Sequence, residues 1–335
     1  MANASENPCI TAKSINKDAY VVFSQIGQLI LAIISLILLG AAILGYKKQK
    51  VALHRNLMLL FGNIILLYAY HNIFIVIMQC RNQVLLYFSS DPCDFLTPVW
   101  LNIVLRMPTY IYVPAFTFSH LALTTERARA TILARRYEKE GICYPVLCLV
   151  LIWALTFLIN ASIIVLALQD PTFSRPLVHI TLTTETNSTM QIYLNLVGFA
   201  LVIVTAIMDY LLLVVNHKNR SMNDSYSLSR IYQVKENIIV MNLIWPLDVW
   251  YAIALSIYYA GSSYIRLIRD KLTSAHFVAY YDILYMGTLL EMPKYGRSTT
   301  MDQMTRAPGM WEVDHLKRFF ELINLGRWSC FVGGA

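Results

Sequence analysis

The chain has 335 residues, of which 57% are apolar and only 14% charged, with a net charge of +7 and 21 tyrosines. A soluble domain carries about 25% charged residues, so this composition excludes a water-soluble globular protein and describes an integral membrane protein. The basic residues sit in short clusters between apolar runs, not on one basic domain, which excludes nucleic acid as a partner.

A membrane-spanning helix needs roughly 20 mainly apolar residues to cross a hydrocarbon core of about 30 Å. In chain order, runs of that kind occupy about 21–45, 57–78, 98–123, 142–166, 193–215, 238–259 and 275–290. The expected fold is therefore all-α, a membrane bundle of seven transmembrane helices. Residues 1–20 form a polar tail, 21–290 the helical domain, and 291–335 a tail after a seventh run that is the shortest. The first run lacks the early, basic start of a cleavable leader and reads as a span.

Orientation follows from the lysines and arginines of the short loops. The loop after the first run carries Lys47, Lys48, Lys50 and Arg55. The loop after the third carries Arg127, Arg129, Arg135, Arg136 and Lys139, and the one after the fifth Lys218, Arg220, Arg230 and Lys235. The opposite side has fewer, namely Lys13, Lys17, Arg81, Arg175, Arg266, Arg269 and Lys271. The basic loops are expected in the cytoplasm, with the N-terminus outside and the C-terminus inside.

On the outer side, Asn187-Ser188-Thr189 and Asn3-Ala4-Ser5 are glycosylation signals, so Asn187 and Asn3 are expected sugar acceptors. Cys9, Cys80 and Cys93 fall on the same oxidising side, where Cys93 can pair with either Cys9 or Cys80. Three cysteines allow one bridge and leave one over.

Within the third run, Arg106, Tyr110, Val113, Thr117, His120, Thr124 and Arg127 recur at steps of four and three. This places them on one helix face, expected to point into the bundle, and Pro108 and Pro114 should bend the helix. Ionisable groups inside a bilayer are costly and seek partners. Arg106 is therefore expected to pair with Asp248 of the sixth run or Asp282 of the seventh, either to line an outer-facing ligand cavity with Tyr110 or as a structural ion pair that only holds helices together. Asp209, nearer the inner end, is expected to be a local anchor.

At the foot of the third helix, Glu126 and Arg127 in "TTERARA" place an acid beside a base at the bilayer edge, an arrangement able to hold a cytoplasmic latch closed. In the segment "SLSRIYQVKENIIVMNLIWPLD", the polar half continues the sixth helix into the cytoplasm. Pro246 removes a backbone hydrogen bond near mid-bilayer and makes a pivot, with Trp245 and Asp248 on a shared face beside it as further pocket candidates.

These motifs carry a family resemblance. The "ER" with "ARAT" and "RRYE", the "LSRIYQVKEN" before the sixth helix and the "FVAYYDILYM" of the seventh resemble the nematode serpentine chemoreceptors of the Sra superfamily. The nearest class is alpha/beta, then class alpha. The resemblance covers about residues 20–288, and Ile231 is one extra residue between Arg230 and Tyr232. It implies a G-protein-coupled chemosensory receptor, not an enzyme, in the plasma membrane of sensory neurons or their cilia. It implies an external small molecule as ligand and a heterotrimeric G protein as partner, with no cofactor and no metal. In it, Glu126 and Arg127 stand at the acid–arginine switch, Arg230 and Lys235 belong to the G-protein side, and Trp245 with Pro246 resembles the toggle tryptophan and its proline. The seventh helix lacks Asn-Pro-x-x-Tyr, and Asn63 stands in the second helix where a sodium-site acid is expected. The alternative reading is an ion- or proton-coupled transporter or channel, built on the intramembrane Arg, Asp and His. The runs show no repeat between halves to support it.

Near the C-terminus, Val313, Leu316, Phe320 and Ile323 make one apolar face opposite Asp314, Lys317, Arg318 and Glu321. This segment is either a helix lying on the inner membrane surface or the product of a mis-assigned exon.

Overall fold

The computed structural model describes residues 7–49, 54–133, 137, 141–221 and 228–289. The side chains of Arg230, Lys235 and Pro246 lie outside the described ones, as do Asn3 and the expected amphipathic helix near the C-terminus. Among the described residues the chain is almost wholly helical.

Among these residues a short helix α1 (Pro8–Lys17) precedes seven further α-helices. These are α2 (Ala19–Gln49), α3 (Arg55–Phe88), α4 (Val99–Ile132), α5 (Cys143–Leu168), α6 (Glu185–Ser221), α7 (Leu228–Leu267) and α8 (Ser274–Leu289). Most extend beyond the apolar runs that announce them. At 1.5 Å per residue, the 34 residues of α4 span about 51 Å, well beyond the hydrocarbon layer.

Helices α2, α3, α5 and α6 are each long and apolar enough to cross a membrane by length and hydropathy alone. α4 and α7, of 34 and 40 residues, are also long but carry a buried polar stripe. α8 has 16 described residues. The Leu289 carbonyl accepts hydrogen bonds from Ser35 Oγ at 2.5 Å and Tyr68 Oη at 2.7 Å, which ties α8 to α2 and α3.

α4 is the axis of the bundle, packed against α3, α5, α6 and α7. Its stripe from Arg106 through Tyr110, Val113, Thr117, His120 and Thr124 to Arg127 is buried throughout, so this face does point inward. Both prolines lie within the helix, which continues past them. Around the stripe a core of Leu57, Leu60, Tyr112, Phe116, Leu255 and Tyr285 closes the middle of the bundle. On the outside, Leu158 of α5 and Ile207 and Leu211 of α6 are more than half exposed. Lipid tails are the solvent that such faces require.

One end of the bundle is tied together by short loop elements. Asn7 caps α1 by accepting from Cys9 N, and Cys9 is disulfide-bonded to Cys93 in the turn Pro92–Phe95. Cys80 is a free, exposed thiol, which settles the choice of partner for Cys93 and corrects Cys80 as a disulfide candidate. An antiparallel bridge joins Thr97 to Leu177, each amide donating to the other's carbonyl at 2.8 Å. Beside it, Asn102 of α4 exchanges two hydrogen bonds with the Thr181 backbone.

Asn187 corrects another expectation. It is fully buried at the start of α6, its Nδ2 donating to the Leu182 carbonyl at 2.7 Å and the Ile163 carbonyl at 3.3 Å. Its amide nitrogen is committed to closing the loop onto the helix and is not presented for a sugar.

Candidate functional site

Three clusters of buried polar residues follow the α4 stripe from the disulfide end to the opposite end.

The first surrounds two arginines. Arg106 Nη2 lies 3.5 Å from Asp282 Oδ1 of α8, so of the two acids the structure pairs it with Asp282. Its guanidinium also lies over the Tyr285 and Tyr281 rings, at 5.2 and 5.9 Å from their centroids. Arg266, the penultimate residue of α7, reaches the same tyrosines from the other side. Its Nη2 donates to Tyr281 Oη and Gln191 Oε1, both at 2.6 Å, and its Nη1 to the Ser262 carbonyl at 3.2 Å. Between the arginines, Tyr258 Oη lies 2.8 Å from Tyr285 Oη.

A cavity opens beside this cluster. Its polar end is formed by Tyr110, Gln191, Asn195, Tyr258, Tyr281 and Arg266. Its apolar end runs over Pro114 and Phe118 of α4, between Ile159 of α5 and Val197 of α6. Its volume is about 90 Å³. Gly198 makes the room for one wall, because a Cβ there would stand 2.5 Å from Tyr259 Cζ. Tyr259 Oη in turn lies 2.9 Å from Thr117 Oγ1.

A smaller cleft on the α3 side is lined by Arg106, Asp282, Gln79, Met78 and His179. His179 belongs to the loop before α6. Burial, with the positive charges of Arg106 and Arg269 added, pushes its imidazole down to about 4, so it is neutral in the fold.

The second cluster lies deeper. His120 Nδ1 is 2.8 Å from Asp248 Oδ1, and the imidazole stacks on Tyr251 at 3.8 Å. Asp209 of α6, itself buried, faces Asp248 and Thr124. Among the described residues Asp209 thus meets helix residues of the bundle. Among the described residues, Asp248 lines neither of these two cavities. Trp245 lines neither as well; its ring lies 5.7 Å from Tyr210 of α6. The two residues are three apart, a rotation of about 60° on a helix, enough to send one to α4 and the other to α6.

The third cluster is at the other end of the bundle. Glu126 and Arg127 are both buried, not snorkelling to an interface. Arg127 Nε donates to Glu126 Oε2 at 2.6 Å, its Nη2 to Tyr137 Oη at 3.1 Å, and its Nη1 to Asn237 Oδ1 of α7 at 3.2 Å. Tyr137 donates to the other Glu126 oxygen. The acid–base pair at the foot of α4 is thereby joined to the segment that opens α7. That helix passes through Pro246 without a break.

Sequence reasoning brought forward Arg106, Tyr110 and Asp282, which do come together, and missed Arg266, Gln191 and the tyrosine cluster. A signal was present: Tyr258, Ser262 and Arg266 recur every four residues, and all three are buried. Arg266 read as a loop charge because it follows the apolar run.

Residues 6–296 match the family of serpentine type 7TM GPCR receptor class ab chemoreceptors. The chain is also 24% identical over 186 residues to serpentine receptor class alpha-39 of Caenorhabditis elegans. That match takes in 55% of this chain and 48% of the relative, so the chain spans about half the length of the curated protein it matches. A seven-helix bundle with a buried acid–arginine pair at the foot of its central helix, over most of a chain that matches one receptor family, makes this a multi-pass membrane protein that belongs to the serpentine class ab chemoreceptors.

Proposed function

We propose that the protein is a ligand-activated receptor of the plasma membrane of sensory neurons, with the disulfide end outside and the basic loops in the cytoplasm. An external small molecule enters the cavity between α4, α5, α6 and α7. Its binding shifts an existing equilibrium between inactive and active arrangements. The Arg127–Asn237 contact at the opposite end is the observation that carries this reading, because it ties α4 to α7 where a G protein must insert. Opening it as the inner part of α7 swings about Pro246 frees the acid–arginine pair and the basic residues Arg230 and Lys235 to dock a heterotrimeric G protein.

The test is co-expression with a G protein and a screen against volatile and water-soluble chemicals, read as guanine-nucleotide exchange. Exchange that is lost in Arg127→Ala while surface display is retained supports the receptor. A ligand-gated current in the absence of any G protein overturns it in favour of a channel or transporter.

A further inference from the structure

Two guanidiniums flank one tyrosine cluster, but among the described residues only one has an acid. Arg106 is answered by Asp282. Among the described residues no carboxylate lies within ion-pair distance of Arg266, although its side chain is buried at 8% exposure. Its partners are all neutral: Tyr281, Gln191, Thr183 and the Ser262 carbonyl. Among the described residues its Nε–H has no partner, as is also true of Arg106 Nε. A cation buried within a bundle is costly without a counter-charge, and an unpartnered guanidinium N–H can donate a charge-assisted hydrogen bond to a carboxylate oxygen. Arg266 lines the cavity, so the missing anion has a place to come from.

The rest of the cavity states what that anion carries. From Arg266 the walls turn apolar through Ile159, Ile163, Leu194 and Leu201. Val197 at the edge between α5 and α6 is 58% exposed on a face that lipid covers. Charge at one end and hydrocarbon at the other describe an amphiphile.

We infer that this cavity binds an amphiphilic carboxylate, with its head on Arg266 beside Gln191 and Tyr281 and its apolar tail between α5 and α6. The Arg106–Asp282 pair, already neutral, leaves Arg266 as the residue that selects acid over alcohol. That such binding activates the receptor rests on the reading proposed above; the binding itself does not need it.

The test measures binding without a G protein, so its failure is distinct from failure of the receptor reading. Purified full-length receptor in nanodiscs is titrated with decanoate, decanol, decylamine and acetate, and thermal stabilisation is read. Decanoate is expected to bind about tenfold or more tightly than decanol or decylamine, and acetate to have no effect at matched concentration. Arg266→Gln is expected to abolish the preference for decanoate over decanol. Val197→Trp leaves Arg266 untouched and fills the edge of the crevice from an exposed position, so it keeps the measurement valid if Arg266→Gln fails to fold. It is expected to weaken decanoate by about tenfold, as an occupied crevice excludes the tail. Equal binding of decanoate and decanol, a preference that survives in Arg266→Gln, or undiminished decanoate binding in Val197→Trp overturns the inference. An acetate effect equal to that of decanoate reduces the site to a simple anion and overturns its apolar half. Mass spectrometry of receptor purified without added ligand separates the sources. A carried fatty acid assigns the occupant to the membrane, and an empty receptor that then takes decanoate assigns it to an external chemical; both support the class.

Discussion

Arg127 of α4 donates a hydrogen bond to Asn237 of α7 across 3.2 Å, although the two stand 110 residues apart in the chain. The contact joins the "ER" at the foot of the third transmembrane helix to the "KEN" that opens the sixth. A hydrogen bond to a charged group contributes about 1.5–3 kcal/mol. Asn237→Ala is therefore expected to weaken the tie and raise nucleotide exchange in the absence of ligand about tenfold, since about 1.4 kcal/mol is a tenfold change in an equilibrium. Unchanged basal exchange at equal surface display would remove Asn237 from the latch.

Asp282→Asn leaves Arg106 buried without its carboxylate. Breaking one side of a buried pair costs about 3–5 kcal/mol, so a marked fall in melting temperature and surface display is expected. Asp248→Asn acts elsewhere, because its partner is His120. Combining Arg106→Leu with Asp282→Leu should recover most of the loss, whereas combining Arg106→Leu with Asp248→Leu should not. Thermal melts of the four variants separate the two pairings.

Gly198→Ala forces the Tyr259 ring from a position held by Thr117. Overpacking of this kind costs about 1–3 kcal/mol, and the displaced ring enters the cavity. The variant is expected to reach the surface with a lowered melting temperature and a raised ligand concentration for half-maximal response. A dose–response curve on the wild-type position would count against Tyr259 as a wall of the ligand cavity.

His179 gives stability an acid limb. An unfolded histidine takes its proton near 6.5, and this one does so at about 4, so between those values the unfolded chain binds more protons and stability falls as pH falls. The contribution is complete above pH 6.5. His179→Gln is expected to flatten the melting-temperature profile across that window and leave neutral pH little changed. A profile with the same slope in both proteins would assign the acid limb to other groups.

Cys9 and Cys93 close a separation of 84 residues. Removing a native disulfide typically costs about 2–5 kcal/mol, so Cys9→Ser and Cys93→Ser should lower the melting temperature alike, while Cys80→Ser should not. Thiol labelling of the wild type should modify Cys80 and spare the other two until reductant is added.

The bundle was legible because its solvent is hydrocarbon. Lipid leaves the backbone one way to satisfy its hydrogen bonds across a span, so long apolar runs become helices. The stripe on α4 was legible for a related reason: steps of four and three put polar groups on one side, and a polar side cannot face lipid. The seventh span was weak in sequence; in the structure Ser35 and Tyr68 hold the Leu289 carbonyl of α8.

Partnerships were not legible. Asp248 and Asp282 offer Arg106 the same carboxylate, and only their depth along the bundle distinguishes them. Trp245 and Asp248 share a broad face in sequence, yet α7 lies against both α4 and α6, so a rotation of about 60° gives them different neighbours. Asn187 satisfies a three-residue signal, but whether its amide meets water or the Leu182 carbonyl is a question of how the loop closes.

The amino-acid sequence by itself determined the number of spans, the buried face of the third and the motifs at its foot, because these follow from local periodicity and the cost of polar groups in lipid. Only the tertiary structure decided which charges pair. A charge is answered by whatever packing brings within about 4 Å, and α7 folded against α6 and α8 brings Arg266 three neutral side chains and no acid among the described residues.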